Sequence, residues 1–94
     1  MARSIITQIE DYCYVCGRRA TETHHIFGGA NRGLSEKYGL KIPLCHNCHN
    51  EPPHGVHFDA ELMRQMHVVG QTMFERTYPE LDFMAIFGKN YKED

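Results

Sequence analysis

Four cysteines fall in two pairs, Cys13-Tyr-Val-Cys16 and Cys45-His-Asn-Cys48, separated by residues 17 to 44. Two CxxC pairs in one short chain have the form of a tetrahedral zinc site, each pair supplying two thiolates from a tight turn. Two disulfides or a redox CxxC are the alternatives. No N-terminal apolar run has signal-peptide form and no stretch approaches membrane-spanning length, so the expected compartment is the reducing cytoplasm, where disulfides are rare. The βαβ pattern that surrounds a thioredoxin-like CxxC is also missing. Structural zinc on Cys13, Cys16, Cys45 and Cys48 is therefore the expectation.

Seven histidines accompany them, and six lie between positions 24 and 57: His24, His25, His46, His49, His54 and His57. With four cysteines sufficient for the zinc, the histidines are left for other chemistry. Imidazole is the side chain whose unperturbed pKa suits proton abstraction near neutral pH, and its neutral form is a common metal ligand. The adjacency of His24 and His25 poses a geometric problem. Neighbouring side chains on a strand point to opposite faces, so a regular strand does not aim both at one site.

The elements that must position these groups can be read from local pattern. Ile5, Ile6 and Ile9 fit a short helix or a strand equally well. Cys13 to Gly17 reads as a zinc knuckle. Thr21 to Phe27 reads as a strand ended by Gly28-Gly29, followed by a loop of roughly a dozen residues. Leu40 to Leu44 reads as a second strand, with Pro43 implying an amide the ladder does not need. Cys45 to Glu51 reads as a helical turn carrying the second knuckle, stopped by Pro52-Pro53.

Beyond Phe58 the pattern becomes helical. Asp59 is an N-cap with Glu61 in the first turn, and Leu62, Met66, Val69 and Met73 form an apolar stripe. Thr77-Tyr78-Pro79-Glu80 has capping-box form and predicts a second helix running to Phe87, with Gly88 as its C-cap. The 94 residues make one domain (1–94), divided into a zinc-knuckle core over 1–58 and a helical C-terminal extension over 59–94.

The ordered set Cys13-Tyr-Val-Cys16-Gly17, His24-His25-Ile26 and Pro43-Leu44-Cys45-His46-Asn47-Cys48-His49 resembles the HNH endonucleases, also called the His-Me finger or ββα-metal family. It is most similar to the small stand-alone members, encoded by bacteria and their phages, that a pair of zinc knuckles stabilises. The resemblance covers roughly residues 12 to 58. It implies an α+β fold with a small ββα-metal, treble-clef-like core, a structural zinc and C-terminal helices. It also implies a metal-dependent endonuclease that hydrolyses DNA phosphodiester bonds with one catalytic divalent metal, leaving 5'-phosphate and 3'-hydroxyl ends. Under it His24 is a ligand of that metal, His25 the general base that activates water, and His49 a second ligand.

The sequence departs from the family pattern at two places. The family's asparagine, which stands just before the second strand, is replaced by Gly39-Leu40, which leaves Asn31 in the loop as the substitute expected to orient His25. Some members take a further ligand one helical turn after the last histidine, where this chain has Pro53. His57 is then preferred to His54 as the third ligand, because it adjoins the capped helix beginning at Asp59. Three imidazoles suit Zn, Ni, Co or Mn better than Mg, although members with fewer histidines resemble Mg users.

The formal charge is -2, which does not by itself indicate nucleic acid. Residues 1 to 57 hold six Lys or Arg against five Asp or Glu, whereas 58 to 94 hold four against seven. Arg18, Arg19, Arg32 and Lys41 in the first part are candidate contacts to the backbone of DNA, double-stranded in the expected substrate. A second copy of the chain, or a bacterial or phage protein, is the expected partner of the helical extension, through apolar residues such as Met63 and Phe74. The alternative from another class is a non-enzymatic zinc module that binds nucleic acid or protein. That alternative gives no reason for the adjacency of His24 and His25 or for His49 directly after Cys48.

Overall fold

Two four-residue segments, Glu-Thr-His-His and Lys-Ile-Pro-Leu, make a small antiparallel ladder in the computed structural model, which describes residues 3–92. Strand β1 (Glu22–His25) pairs with strand β2 (Lys41–Leu44) in the register Glu22↔Leu44, Thr23↔Pro43, His24↔Ile42 and His25↔Lys41. Pro43 does without its amide at no cost to the ladder, and its carbonyl accepts from Tyr14 N–H at 2.8 Å, joining the first knuckle to the outer edge of β2. Together with the four α-helices of the described residues, the sheet makes a small mixed α/β unit. No helix among the described residues is long and apolar enough to cross a membrane.

The segment read from sequence as a loop after β1 is folded. A 3-10 turn (Gly29–Asn31) leads directly into helix α1 (Arg32–Tyr38). Seven residues are too few to be a stable helix in isolation, and tertiary bonds supply what propensity lacks. The fully buried Ser35 hydroxyl accepts from Phe27 N–H at 3.0 Å and donates to Phe27 C=O at 2.8 Å, so one side chain satisfies both backbone groups of the residue that leaves the sheet. Gly39 ends α1 with φ +73°, a conformation that L side chains rarely adopt, and its carbonyl accepts from Ile5 N–H at 2.9 Å. That bond lays the N-terminal segment across the helix end. Ile5 and Ile6 pack against the core there in an irregular conformation, and Ile9 is exposed.

Helix α2 (His46–Asn50) follows β2 with Cys45 at its N-cap position. Helix α3 (Ala60–Thr77) starts where expected, with the Asp59 carboxylate accepting from Leu62 N–H at 3.1 Å. Its buried stripe is rotated from the expected one: Met66, Gly70, Gln71 and Phe74 are buried, while Leu62, Val69 and Met73 are only partly so. Phe74 is 0 % exposed and packs among Tyr38, Tyr78, Phe83 and Phe87, and Met63 lies partly buried against the core, so neither forms the free apolar docking surface expected of them.

The second C-terminal helix also begins later than its capping-box pattern suggests. Thr77 closes α3, because Pro79 disfavours a helical conformation at Tyr78. Helix α4 (Phe83–Phe87) is capped instead by the Asp82 carboxylate, which accepts from Met84 and Ala85 N–H, and it ends at Gly88 as expected.

The core fills the space between the sheet and these helices. Ile26, Phe27, Leu40, Ile42, Leu44, Val56 and Phe74 are all essentially inaccessible, and Phe27 stands at the centre of a ring cluster with His67, Phe83, Phe87 and Tyr91. Gly70 lets α3 approach the end of β1: a Cβ there would lie 2.6 Å from Ile26 Cγ2 and 3.0 Å from Phe27 Cε2. Gly70→Ala would gain roughly 1 kcal/mol in helix propensity. Overpacking at a site this tight costs about 1–3 kcal/mol. The variant is therefore expected to unfold at lower urea concentration than the wild type, and an unchanged or raised midpoint would contradict this packing.

Candidate metal centres and a histidine cavity

Two turns distant in sequence bring the four sulfurs together. In the first, Gly17 N–H donates to Cys13 C=O at 2.9 Å and Cys13 N–H to Arg18 C=O at 2.6 Å, while in the second His49 N–H donates to Cys45 C=O at 3.1 Å. The Sγ atoms of Cys13, Cys16, Cys45 and Cys48 all lie within 4.8 Å of one another, and those of Cys16 and Cys45 are 3.6 Å apart. A disulfide would need about 2.05 Å. Tetrahedral sulfurs on bonds of about 2.3 Å are separated by roughly 3.8 Å, so the spacing fits a four-thiolate metal such as zinc.

The thiols themselves differ. Burial raises the Cys13 pKa, but the backbone N–H groups of Cys16, Cys45 and Val15 outweigh it and bring the thiol down to about 6. Burial, and then hydrogen bonds to Cys45, Cys16 and Cys13, push Cys48 well above the usual thiol range. Collecting four thiolates in one place therefore requires a cation, which is what a bound metal supplies.

A second cluster lies on the adjoining sheet face. His24 projects to the same side as its partner Ile42 and as Glu22 and Leu44, the side covered by α2 and the loop after it. His49 stands on α2, and His57 is brought beside it by backbone bonds from Val56 N–H to Cys48 C=O at 2.7 Å and from His57 N–H to His49 C=O at 3.3 Å. The ligand nitrogens of His24, His49 and His57 lie within 4.8 Å of one another, and His49 Nε2 is 3.1 Å from His57 Nε2. Nitrogens around a tetrahedral metal at about 2.05 Å would be roughly 3.3 Å apart.

His24 is 2 % exposed, and its Nε2 has no hydrogen-bond partner among the described residues. An orphaned buried nitrogen costs about 1–3 kcal/mol, a cost that a metal ion would remove. Burial first, then the fields of His49, His57 and His25, hold the His24 pKa down at about 3, so the ring is neutral and ready to ligate at pH 7. Burial and then His49 lower His57 as well.

Glu22 organises the exposed side of this cluster, a role not anticipated from sequence. Its carboxylate accepts from His49 Nδ1 at 2.6 Å, His46 Nδ1 at 2.8 Å and Asn50 Nδ2 at 3.1 Å. The bond to His49 Nδ1 fixes the tautomer that leaves Nε2 facing His24 and His57, the usual carboxylate support for a ligating imidazole. The hydrogen bond from His46, followed by that from His49, lowers the Glu22 pKa, and the bond to Glu22 raises that of His46. Two sequence signals were present: Glu22 is two residues before His24 on one strand face, and His46, His49 and Asn50 share one helix face.

His25 is the last residue of β1 and turns to the opposite face, beside its cross-strand partner Lys41. Both histidines nonetheless border one cavity of about 310 Å³, lined also by Thr23, Gly28, Gly29, Arg32, His49 and His57. His25 Nε2 is 2.9 Å from Glu36 Oε1, and Lys41 Nζ donates to Glu36 Oε2 at 2.6 Å. Lys41, then His25, draw the Glu36 carboxyl down to about 2.

The other anticipated site residues are dispersed. Asn31 donates its amide to Phe87 C=O at 3.2 Å, tying the turn before α1 to α4, and it is Glu36 that holds the His25 ring. Lys41 is mostly buried in its ion pair with Glu36. Arg32 opens α1 at the cavity rim, Arg18 and Arg19 are exposed on the first knuckle, and His54 is exposed outside both clusters. Comparison with protein-family models, curated proteins and solved structures finds no match to the chain.

Two outcomes follow from the separation of the clusters. Cys45→Ser should leave the chain largely unfolded by circular dichroism and without tightly bound zinc, since zinc binding in small domains supplies on the order of 10 kcal/mol of folding free energy. In titrations of the zinc-loaded protein with nickel, His57→Ala should weaken binding at a second site by about tenfold or more while His54→Ala leaves it unchanged. Equal effects would contradict the triad.

Proposed function

We propose that the protein is a metal-dependent endonuclease of HNH type that hydrolyses DNA phosphodiester bonds. The observation that carries this reading is the convergence of a buried, orphaned His24 nitrogen with His49 and His57 on a cavity that also presents His25. The supporting elements favour it too: β1 and β2 pair in one sheet, with the 3-10 turn and α1 between them in the chain, and α2 follows β2. His24 and His25 thus come from β1, His49 from α2 and His57 from the segment after α2, an arrangement compatible with a ββα-metal core that carries an insertion. The binding-module reading gives no reason for His25 to stand beside a second, imidazole-lined cluster next to a four-cysteine one.

In this reading His24, His49 and His57 hold the cation, with Glu22 orienting His49. A divalent ion held there supplies the positive charge that a phosphodiester needs as negative charge grows on its non-bridging and leaving oxygens. His25 accepts a proton from water, the water oxygen attacks phosphorus, and the bond from phosphorus to the 3' oxygen breaks. The departing 3' oxygen takes a proton from a second water and His25 returns its proton to solvent, giving a 5'-phosphate and a 3'-hydroxyl. Arg32 at the rim is placed to hold a neighbouring phosphate. The three-imidazole donor set favours Ni, Co, Mn or Zn over Mg.

The direct test incubates zinc-loaded protein with supercoiled plasmid while Mg, Mn, Ni and Co are titrated, beside His25→Ala. The wild type should nick or linearise the plasmid with at least one of these metals. The variant should keep its fold and zinc while losing about 10²–10⁴ in rate, the usual contribution of a positioned base. No cleavage by folded, metal-loaded wild type, or equal cleavage by the variant, would overturn the assignment.

A further inference from the structure

We infer that Glu36 is a positioning residue that fixes the tautomer of His25, so that Nε2 carries the hydrogen and Nδ1 is the nitrogen free to take a proton from water. The inference rests on the nuclease reading for its catalytic meaning, though not for its geometry. An ionised carboxylate only accepts hydrogen bonds, so the 2.9 Å contact between Glu36 Oε1 and His25 Nε2 requires the hydrogen to sit on Nε2. In a neutral ring the lone pair is then left on Nδ1.

Three separate elements build this arrangement. His25 ends β1, Lys41 faces it across the ladder on β2, and Glu36 reaches both from α1, one oxygen to each. The adjacent Ser35 clamps α1 to both backbone groups of Phe27, two residues beyond His25, so the carboxylate is held at a fixed distance from the ring. Lys41 has only donors to offer and takes Oε2, which leaves Oε1 to the imidazole. The Glu36–Lys41 pair thus performs two tasks: it keeps the carboxylate charged, and it directs one lone pair at His25. His25 remains at the cavity wall with an 11 % exposed side chain, so little of the ring faces solvent.

Glu36→Gln separates positioning from mere packing. Lys41 would claim the amide oxygen, leaving the amide nitrogen to donate towards His25, so the ring should switch its hydrogen from Nε2 to Nδ1. Two-dimensional ¹⁵N–¹H spectra of the imidazoles at about pH 8, where an ordinary histidine is neutral, read this directly. The wild type should show His25 as the Nε2–H tautomer and the variant as Nδ1–H. Plasmid turnover at saturating DNA should fall by roughly tenfold or more, part of what a positioned base contributes, while KM and nickel affinity stay as in the wild type. A wild-type Nδ1–H tautomer, or a variant with unchanged tautomer and turnover, would overturn the inference. Wild-type protein that fails to cleave would remove the nuclease assignment alone, and the tautomer comparison would still decide what Glu36 does to His25.

Discussion

The convergence of four sulfurs from opposite ends of the core is the constraint on which the rest of the molecule depends. Cys13 and Cys16 sit before β1, Cys45 and Cys48 after β2, and their Sγ atoms lie within 4.8 Å of one another. A metal on them closes the chain around the two-stranded sheet. A two-stranded sheet is marginal in water on its own, and this one gains a cross-link at one end and the aromatic cluster around Phe27 at the other. Because Cys48 and His49 are neighbours on α2, the same closure that completes the sulfur cluster sets His49 over His24.

Strand geometry then divides the adjacent histidines between two environments. His24 faces the covered side of the sheet, where burial strips it of water and leaves Nε2 without a partner among the described residues. His25 faces the other side, where Lys41 and Glu36 wait for it. Each ring is backed by a different carboxylate system: Glu22 supports the triad through His49, and Glu36 supports His25. The alternation of side chains that argues against one shared face also gives the pair two separate environments, although both border one cavity at the end of the ladder.

Features governed by local chemistry were legible in the sequence. The CxxC frame, the ladder with its tolerated Pro43, the cap at Asp59 and the stop at Gly88 all follow from spacing and backbone preference. Those decided by distant partners were not. Helix α1 contains Gly33 and is short, and it owes its place to Ser35 bonding Phe27, a contact that no window of neighbouring residues reveals. The stripe of α3 is rotated because Gly70 is chosen for closeness to Ile26 rather than for hydrophobicity. Glu22 and Glu36 acquire their roles only when the sheet brings α2 and α1 to them, so composition shows them as ordinary surface acids. The preference for His57 over His54 rested on an adjacent helix cap, whereas the geometry that seats His57 is its backbone bond to His49.

The claim at the centre of this account is that His24, His49 and His57 form a metal site chemically distinct from the four cysteines. X-ray absorption at the nickel edge, on protein already loaded with one zinc, tests it most directly. The account predicts one bound nickel whose neighbours are imidazole nitrogens and oxygens, with no sulfur among them and with the signal lost in His24→Ala. Nickel surrounded by sulfur, or none bound to folded zinc protein, would contradict it.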